Sequence, residues 1–473
     1  MCLCACVWEG LRRGVRVREG RGAGVVGEGS AHPRSACLFA ADLIEHLLSP
    51  SSSQGQPARR ARNAFLQGNF APVAQETATP VPLTPSSAAA APLPSALEGV
   101  FMRVGPNDAL APTGDFHWFD GAGMVHAVRI KGGRASYASH WVRTARLGAE
   151  ANAGHPLYTK FGDHRGPLAL VHLALGALRA RTGVRPPKAA GEGTANTALA
   201  FTAGRLLALH EGDLPYALRV ACEGVVESLG RAKLVMMSGK DGKPVPSSLT
   251  SMTAHPKQDE TGFFAISYAL DRPGVRYVGL DRDTGAVRFD HPVALPEPVM
   301  MHDFAITARY AVLLDVPLVF TPDAMVRSRT AMPFTFKKER PTRFGLLPKH
   351  GAAGSGGDPR ARLEPRWFTL PGPGVMIFHV ANAHETRDGR SVKLAACVFD
   401  DFDLDLDGKL AREAKGAAAR GEAGNRPDHY ARLCEITLDL ETGAASRLPL
   451  CPLPGDFPRV PDALVGKEAR HAY

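Results

Sequence analysis

The sequence predicts an all-β chain built from repeated hairpins, and three observations lead there. Forty-nine Gly and 38 Pro are spread along 473 residues, which suits many short strands joined by turns better than long helices. β-rich runs recur in pairs around a Gly-containing turn, as in the meanders of propeller blades. The region from 69 to 473 far exceeds the roughly 250 residues of a sandwich or barrel, so a β-propeller is the economical architecture.

Residues 1–36 are rich in Arg and Gly and poor in acids, the composition of a plastid transit peptide or disordered leader, though Ser is sparse and Trp8-Glu9 fits poorly. A misplaced start of the reading frame would look the same. Residues 37–68 read as an amphipathic helix over 37–49 and a linker: Phe39, Leu43, Ile44, Leu47 and Leu48 recur at helical spacing until Ser49-Pro50-Ser51 stops them. A second helix is expected over 167–182, with Leu168, Val171, Leu175 and Leu178 on one face and Arg179 and Arg181 near its C-terminal end. Each helix either packs on the core or lies shallowly in a membrane. Hairpins are expected at Val128–Tyr137 (turn Gly132-Gly133), Val278–Phe289 (turn Asp283-Thr284-Gly285) and Ile436–Leu448 (turn Glu441-Thr442-Gly443). Segments 351–362 and 407–428 read as surface loops.

The net charge of +9 comes from scattered Lys and Arg without the aromatic interleaving of a nucleic-acid surface, so no nucleic-acid partner is expected. No apolar run is long enough for a spanning helix. Eight Cys, three of them at Cys2, Cys4 and Cys6, contain no CxxC pair, which points to a reduced intracellular compartment. The acids at Asp400, Asp401, Asp403, Asp405 and Asp407 lack the glycine and closing Glu of a calcium loop.

Seventeen His form no close-spaced metal motif, but three interrupt β-rich apolar runs: His255 in Met252–Lys257, His302 in Met300–Ile306 and His379 in Val375–Val380. In a propeller, inner strands of different blades converge on the axis, so imidazoles far apart in sequence can meet one metal.

The same segments belong to a longer ordered series. Asn69-Phe70-Ala71-Pro72-Val73, Phe101-Met102-Arg103-Val104-Gly105-Pro106-Asn107, His117-Trp118-Phe119-Asp120-Gly121 and Gly193-Thr194-Ala195-Asn196-Thr197 come first. Thr253-Ala254-His255-Pro256, Met301-His302-Asp303-Phe304-Ala305-Ile306-Thr307 and Arg343-Phe344-Gly345-Leu346-Leu347-Pro348 follow. This series resembles the carotenoid cleavage dioxygenases, and among them the plant type that cuts the 9,10 (9',10') bonds. The resemblance implies a seven-bladed β-propeller with a helical dome over an axial iron(II) held by four His, of which His255, His302 and His379 match three. It implies no catalytic side chain beyond the iron centre. Carboxylates fix the free ring nitrogens of such ligands; Glu211 matches one of those positions and Asp456 another, where the plant 9,10 type also carries Asp. His384 stands where related enzymes commonly have Trp.

The implied activity is cleavage of a carotenoid double bond by dioxygen to apocarotenoid aldehydes or ketones. Expected partners are carotenoid, O2 and a membrane surface met through 37–49 and 167–182, in the plastid (stroma or membrane surface) or the cytoplasm. Family members continue for roughly a hundred residues beyond the position of Tyr473, through the fourth His and the strands that close the propeller. The chain as written is therefore expected to have an incomplete last blade, to bind iron poorly and to turn over little. A dioxygenase acting on an epoxycarotenoid or apocarotenoid, and a non-catalytic propeller that binds carotenoid or protein, are the alternatives.

Overall fold

The computed structural model describes residues 66, 68–84, 93–110, 116–221, 224–237, 243–270, 272–327, 332–352, 356–404 and 430–473. The leader 1–36, the helix expected at 37–49, Cys2, Cys4, Cys6, Asp405, Asp407 and the loop 407–428 lie outside the described residues.

The first sheet contains β1 (Val81–Leu83), β2 (Gly99–Asn107), β3 (Ala122–Lys131) and β4 (Arg134–Trp141), in the order β1-β4-β3-β2. The second is a meander of β5 (Ala198–Thr202), β6 (Arg205–Leu209), β7 (Tyr216–Val220) and β8 (Val226–Arg231). The third contains β9 (Val235–Met237), β10 (Pro244–Pro246), β11 (Lys257–Asp259), β12 (Gly262–Tyr268), β13 (Val275–Leu280) and β14 (Val287–Val293), ordered β10-β9-β14-β13-β12-β11. The chain continues through β15 (Phe304–Ile306), β16 (Tyr310–Asp315), β17 (Leu318–Phe320), β18 (Phe334–Phe336), β19 (Arg343–Pro348) and β20 (Arg366–Thr369). Here β15-β16-β19-β20 form the fourth sheet, and β17 and β18 a separate hairpin. The fifth is the meander β21 (Met376–Glu385), β22 (Ser391–Phe399), β23 (Arg432–Asp439) and β24 (Ala445–Pro454). All three expected hairpins are present as β3–β4, β13–β14 and β23–β24.

Alternation along the strands explains how these sheets stack. Leu206 and Ala208 pack with Val125 and Ala127 of the first sheet, whereas Leu207 and Leu209 pack with Phe263 and Ala265 of the third. Phe264 and Ile266 then face Phe304 and Leu313 of the fourth, and Val312 and Leu314 face Leu394 and Ile436 of the fifth. Each interior sheet is thus covered on both faces, which is why its strands read as continuous apolar runs rather than alternating ones. The edge strands β5, β11, β15 and β21 of successive sheets line one cavity of about 560 Å3. Sheets stacked face to face around a shared axis are a β-propeller.

Between β4 and β5 lie α1 (Ala145–Ala153) and α2 (Leu168–Arg181). Thr144 caps α1 by accepting the Leu147 N–H at 3.0 Å, and Gly154 ends it in the left-handed region. The second expected helix is therefore present, but its apolar stripe is not the buried face. Ala169, Leu175, Gly176 and Arg179 are buried, while Leu168, Leu170, Leu173 and Leu178 are exposed. α2 is apolar nearly all round, so periodicity alone could not select the packed side. Among the described residues no helix is long and apolar enough to cross a membrane.

Ile436 on β23 is fully buried between the fourth and fifth sheets. Ile436→Ala is expected to lower unfolding free energy by roughly 2–5 kcal/mol. Urea unfolding followed by circular dichroism measures this; a loss below about 1 kcal/mol would contradict the stacking described.

Candidate metal centre

His255, His302 and His379 meet near the propeller axis. His255 and His302 sit in the loops immediately preceding β11 and β15, not within strands as their apolar surroundings suggested, whereas His379 lies within β21. At His379 the strand carries a β-bulge: Ile377 pairs with Val398 and Val380 with Ala396, so Phe378 and His379 both stand opposite Cys397.

All three rings are buried, and one ring nitrogen from each lies within 4.8 Å of the others. The ring centroids are 4.6, 4.9 and 5.2 Å apart with planes crossing at 62°, 76° and 79°. The Nε2 atoms of His255 and His302 are 2.9 Å apart. His379 Nε2 is buried without a hydrogen-bond partner among the described residues, aimed into a group of nitrogens. A buried orphan acceptor is costly. Burial, followed by neighbouring His302, His379, Lys257 and Arg459, pushes His255 well below its ordinary pKa, so this imidazole is neutral with a free lone pair at physiological pH.

The outward nitrogens of two rings are held by the two carboxylates named above. His302 Nδ1 is 2.9 Å from Glu211 Oε2, and His379 Nδ1 is 3.0 Å from Asp456 Oδ1. Burial works against ionisation of Glu211, but the charge and hydrogen bond of His302, with His210 and Tyr268, outweigh it and hold Glu211 below the usual carboxylate range. With a carboxylate on Nδ1, each ring carries its proton there and presents Nε2 as a donor atom. Three convergent imidazoles are a donor set for a transition-metal dication such as iron(II).

Four features of the centre were missed in the sequence. The carboxylate of Asp303, fully buried, accepts the Phe304 and Val380 N–H groups at 2.8 Å each and pairs with Lys257 Nζ at 2.7 Å. Thr253 Oγ1 accepts the His255 N–H at 3.1 Å and donates to the His302 carbonyl at 3.2 Å. The Phe457 ring lies 3.9 Å from that of His379, on a backbone at φ +60°, a left-handed conformation strained for a phenylalanine. Phe378 lies 4.4 Å from His302 and begins an aromatic wall through Phe119, Phe161 and Phe334, with successive centroid separations of 6.3, 5.5 and 6.2 Å. A charge directly after a histidine in an apolar run was the signal for Asp303; the others depend on tertiary contacts.

Motifs distant in sequence interlock to place that wall. Asp120 accepts the His117, Phe161 and Gly162 N–H groups at 2.9, 2.6 and 2.9 Å, and Asn196 donates to the Phe119 and Gly121 carbonyls. Gly123 is required there, since a Cβ would lie 2.2 Å from the Ala195 carbonyl oxygen. His384, at the far end of β21, is half-buried and stands apart from the triad. Asp400 pairs with Arg447 at 2.7 Å, and among the described residues the only cluster with metal-ligand geometry is the three histidines.

A propeller with buried, convergent histidines near its axis defines a class of protein suited to holding a metal ion. The sequence profile of the retinal pigment epithelial membrane protein family matches residues 70–473, and the chain belongs to that carotenoid oxygenase family. It is 36% identical over 412 residues to carotenoid 9,10(9',10')-cleavage dioxygenase 1 of Pisum sativum, covering 86% of this chain and 69% of that protein. The corresponding Arabidopsis thaliana protein is 36% identical over 451 residues, covering 94% and 75%. Its fold is shared with the Pseudomonas brassicacearum lignostilbene dioxygenase, with TM-score 0.63 at 24% identity, covering 87% and 75% of the two chains.

Asp303→Asn removes the charge that Lys257 faces. The expected loss of stability is roughly 3–5 kcal/mol, the cost of breaking one side of a buried ion pair. A urea midpoint matching that of the unsubstituted chain would show that Asp303 does not tie these segments together.

Proposed function

We propose that this chain is a non-haem iron(II) dioxygenase that cleaves a carotenoid at the 9,10 (9',10') double bond into two carbonyl products. The observation that carries this reading is the convergence of three buried imidazoles whose outward nitrogens are held by Glu211 and Asp456. His255, His302 and His379 would hold the metal. Iron(II) bound there supplies the activation of dioxygen next to the alkene. Relatives at 36% identity named for 9,10 cleavage support the bond position and the carotenoid.

The protein's own residues set the conditions for that chemistry. Glu211 and Asp456 retain the Nδ1 protons and hold each ring in one orientation. Phe378, Phe119, Phe161 and Phe334 present an apolar wall beside His302, where a polyene can pack and water is excluded. The exposed leucines of α2 support uptake of an apolar substrate from a membrane surface, and relatives named as chloroplastic support a plastid over the cytoplasm.

The full-length protein, continued through the fourth His that the resemblance implies, reconstituted anaerobically with iron(II) and then given β-carotene and air, is expected to yield a short ketone and a long apocarotenal, identified by mass. The same products in equal yield from His302→Ala would overturn the assignment of the site. Products from a different double bond would overturn the bond position alone. Glu211→Gln, which removes the charge but not the shape, is expected to weaken iron(II) affinity about 10–100-fold.

A further inference from the structure

The geometry points to a second chemical site, a serine nucleophile: Ser228, with His140 as its base and Glu76 positioning that base, takes the acyl group of a small activated ester. This site does not depend on the metal-centre reading and stands or falls without it.

The three residues come from separate segments. Glu76 lies in the chain before β1, His140 on β4, and Ser228 on β8, the edge strand of the second sheet opposite β5. His140 Nε2 is 3.0 Å from Ser228 Oγ, and His140 Nδ1 is 3.3 Å from Glu76 Oε1. A hydroxyl within hydrogen-bond reach of an imidazole, itself faced on its other nitrogen by a carboxylate, is the arrangement that transfers acyl groups to serine, and it is recognised by geometry rather than by order in the chain. The neighbours settle where the protons lie. Ser228 Oγ accepts the Arg143 N–H at 2.9 Å, so its own hydrogen can point at His140 Nε2. The ring proton is then on Nδ1, facing the carboxylate.

Glu76 is fixed for this role. Its Oε1 accepts the Trp141 N–H and its Oε2 pairs with the Arg143 guanidinium. The Arg143 side chain is 55% exposed, so solvent screens its charge, whereas Glu76 and His140 are at 18% and 17%. Burial holds His140 below its ordinary pKa against the opposing charge of Glu76, with Arg143 lowering it further and Glu227 raising it, so the ring is a neutral base at physiological pH.

Ser228 can also be approached. It is half-buried, and β8 bulges beside it: Ser228 pairs with Leu218 and Gly230 with Ala217, which leaves Leu229 as the extra, exposed residue. Among the described residues no heavy atom lies within 4 Å of the position a Cβ would take at Gly230. Attack forms a bond between Ser228 Oγ and the acyl carbon and breaks the bond from that carbon to the ester oxygen. The Oγ proton passes to His140 Nε2 and from there to the leaving oxygen, which departs as the alcohol or phenol.

A fluorophosphonate probe tests the site, with phosphorus in place of the acyl carbon and fluoride as the leaving group. The full chain, incubated with the probe at neutral pH and digested for mass spectrometry, is expected to carry the adduct on Ser228, and p-nitrophenyl acetate to acetylate the same residue. Ser228→Ala removes both. His140→Gln, with an unchanged circular dichroism spectrum, is expected to slow labelling about 100-fold or more. Glu76→Gln slows it less and moves the midpoint of its pH profile downwards, because the carboxylate raises the His140 pKa; a carboxylate that only ties chain segments together would leave that midpoint in place. No adduct on Ser228, or an equal rate in folded His140→Gln, overturns the inference. Should His140→Gln fail to fold, the unsubstituted chain decides: labelling must rise with pH to a plateau, with a midpoint below the ordinary histidine value, and a rate that keeps rising with hydroxide overturns the inference.

Discussion

The centre depends on one buried carboxylate. Asp303 follows His302; through its oxygens it holds Lys257, two residues after His255, and the N–H of Val380, one residue after His379. Three chain segments separated by 47 and 77 residues, each carrying one imidazole, are thus drawn onto a single group. A carboxylate with side-chain exposure of 2% is tolerable only when fully partnered, so the three segments have little freedom to part while it is ionised. Thr253 adds a second tie between the His255 and His302 loops.

That arrangement explains why the histidines stand at strand ends and at a bulge. A regular strand directs alternate side chains into the two neighbouring sheets, and here both directions are filled: Val312 to one side and Leu313 to the other. A side chain that must reach the axis leaves this alternation. Loops before β11 and β15 do so for His255 and His302, and the extra residue in β21 does so for His379. Stacked sheets supply a rigid frame, and irregular backbone at their inner ends supplies the site.

Much of this was legible in the sequence, and the remainder was hidden for identifiable reasons. Asp-x-x-Thr-Gly turns located the hairpins because Gly285 and Gly443 take positive φ, which few other residues adopt. The three histidines stood out because a polar ring in an apolar run requires a partner. Helix 168–181 was legible as a helix but not as to its buried side, because Leu occurs on both faces. Strands sandwiched on both sides lose the alternating pattern, so Leu206 and Leu207 look alike though they enter different cores. Thr253 and Phe457 are ordinary loop residues until the meeting of distant segments gives them neighbours.

Phe457 shows how much is asked of the short segment after β24. Its left-handed backbone costs on the order of 1–3 kcal/mol, and such a conformation persists only where the surroundings compel it. Pro458 follows, disfavouring a helical turn at this point, and the Phe457 N–H closes onto the side chain of Asp456. With that N–H engaged, the carboxylate faces His379 Nδ1 while the phenyl ring covers the same imidazole from 3.9 Å. Gly at 457 would adopt the backbone without strain but would leave His379 open on that side. The strain is thus offset by an arrangement in which two adjacent residues both orient and shield one ring, and the irregular segment after the fifth sheet becomes part of the centre rather than a connection.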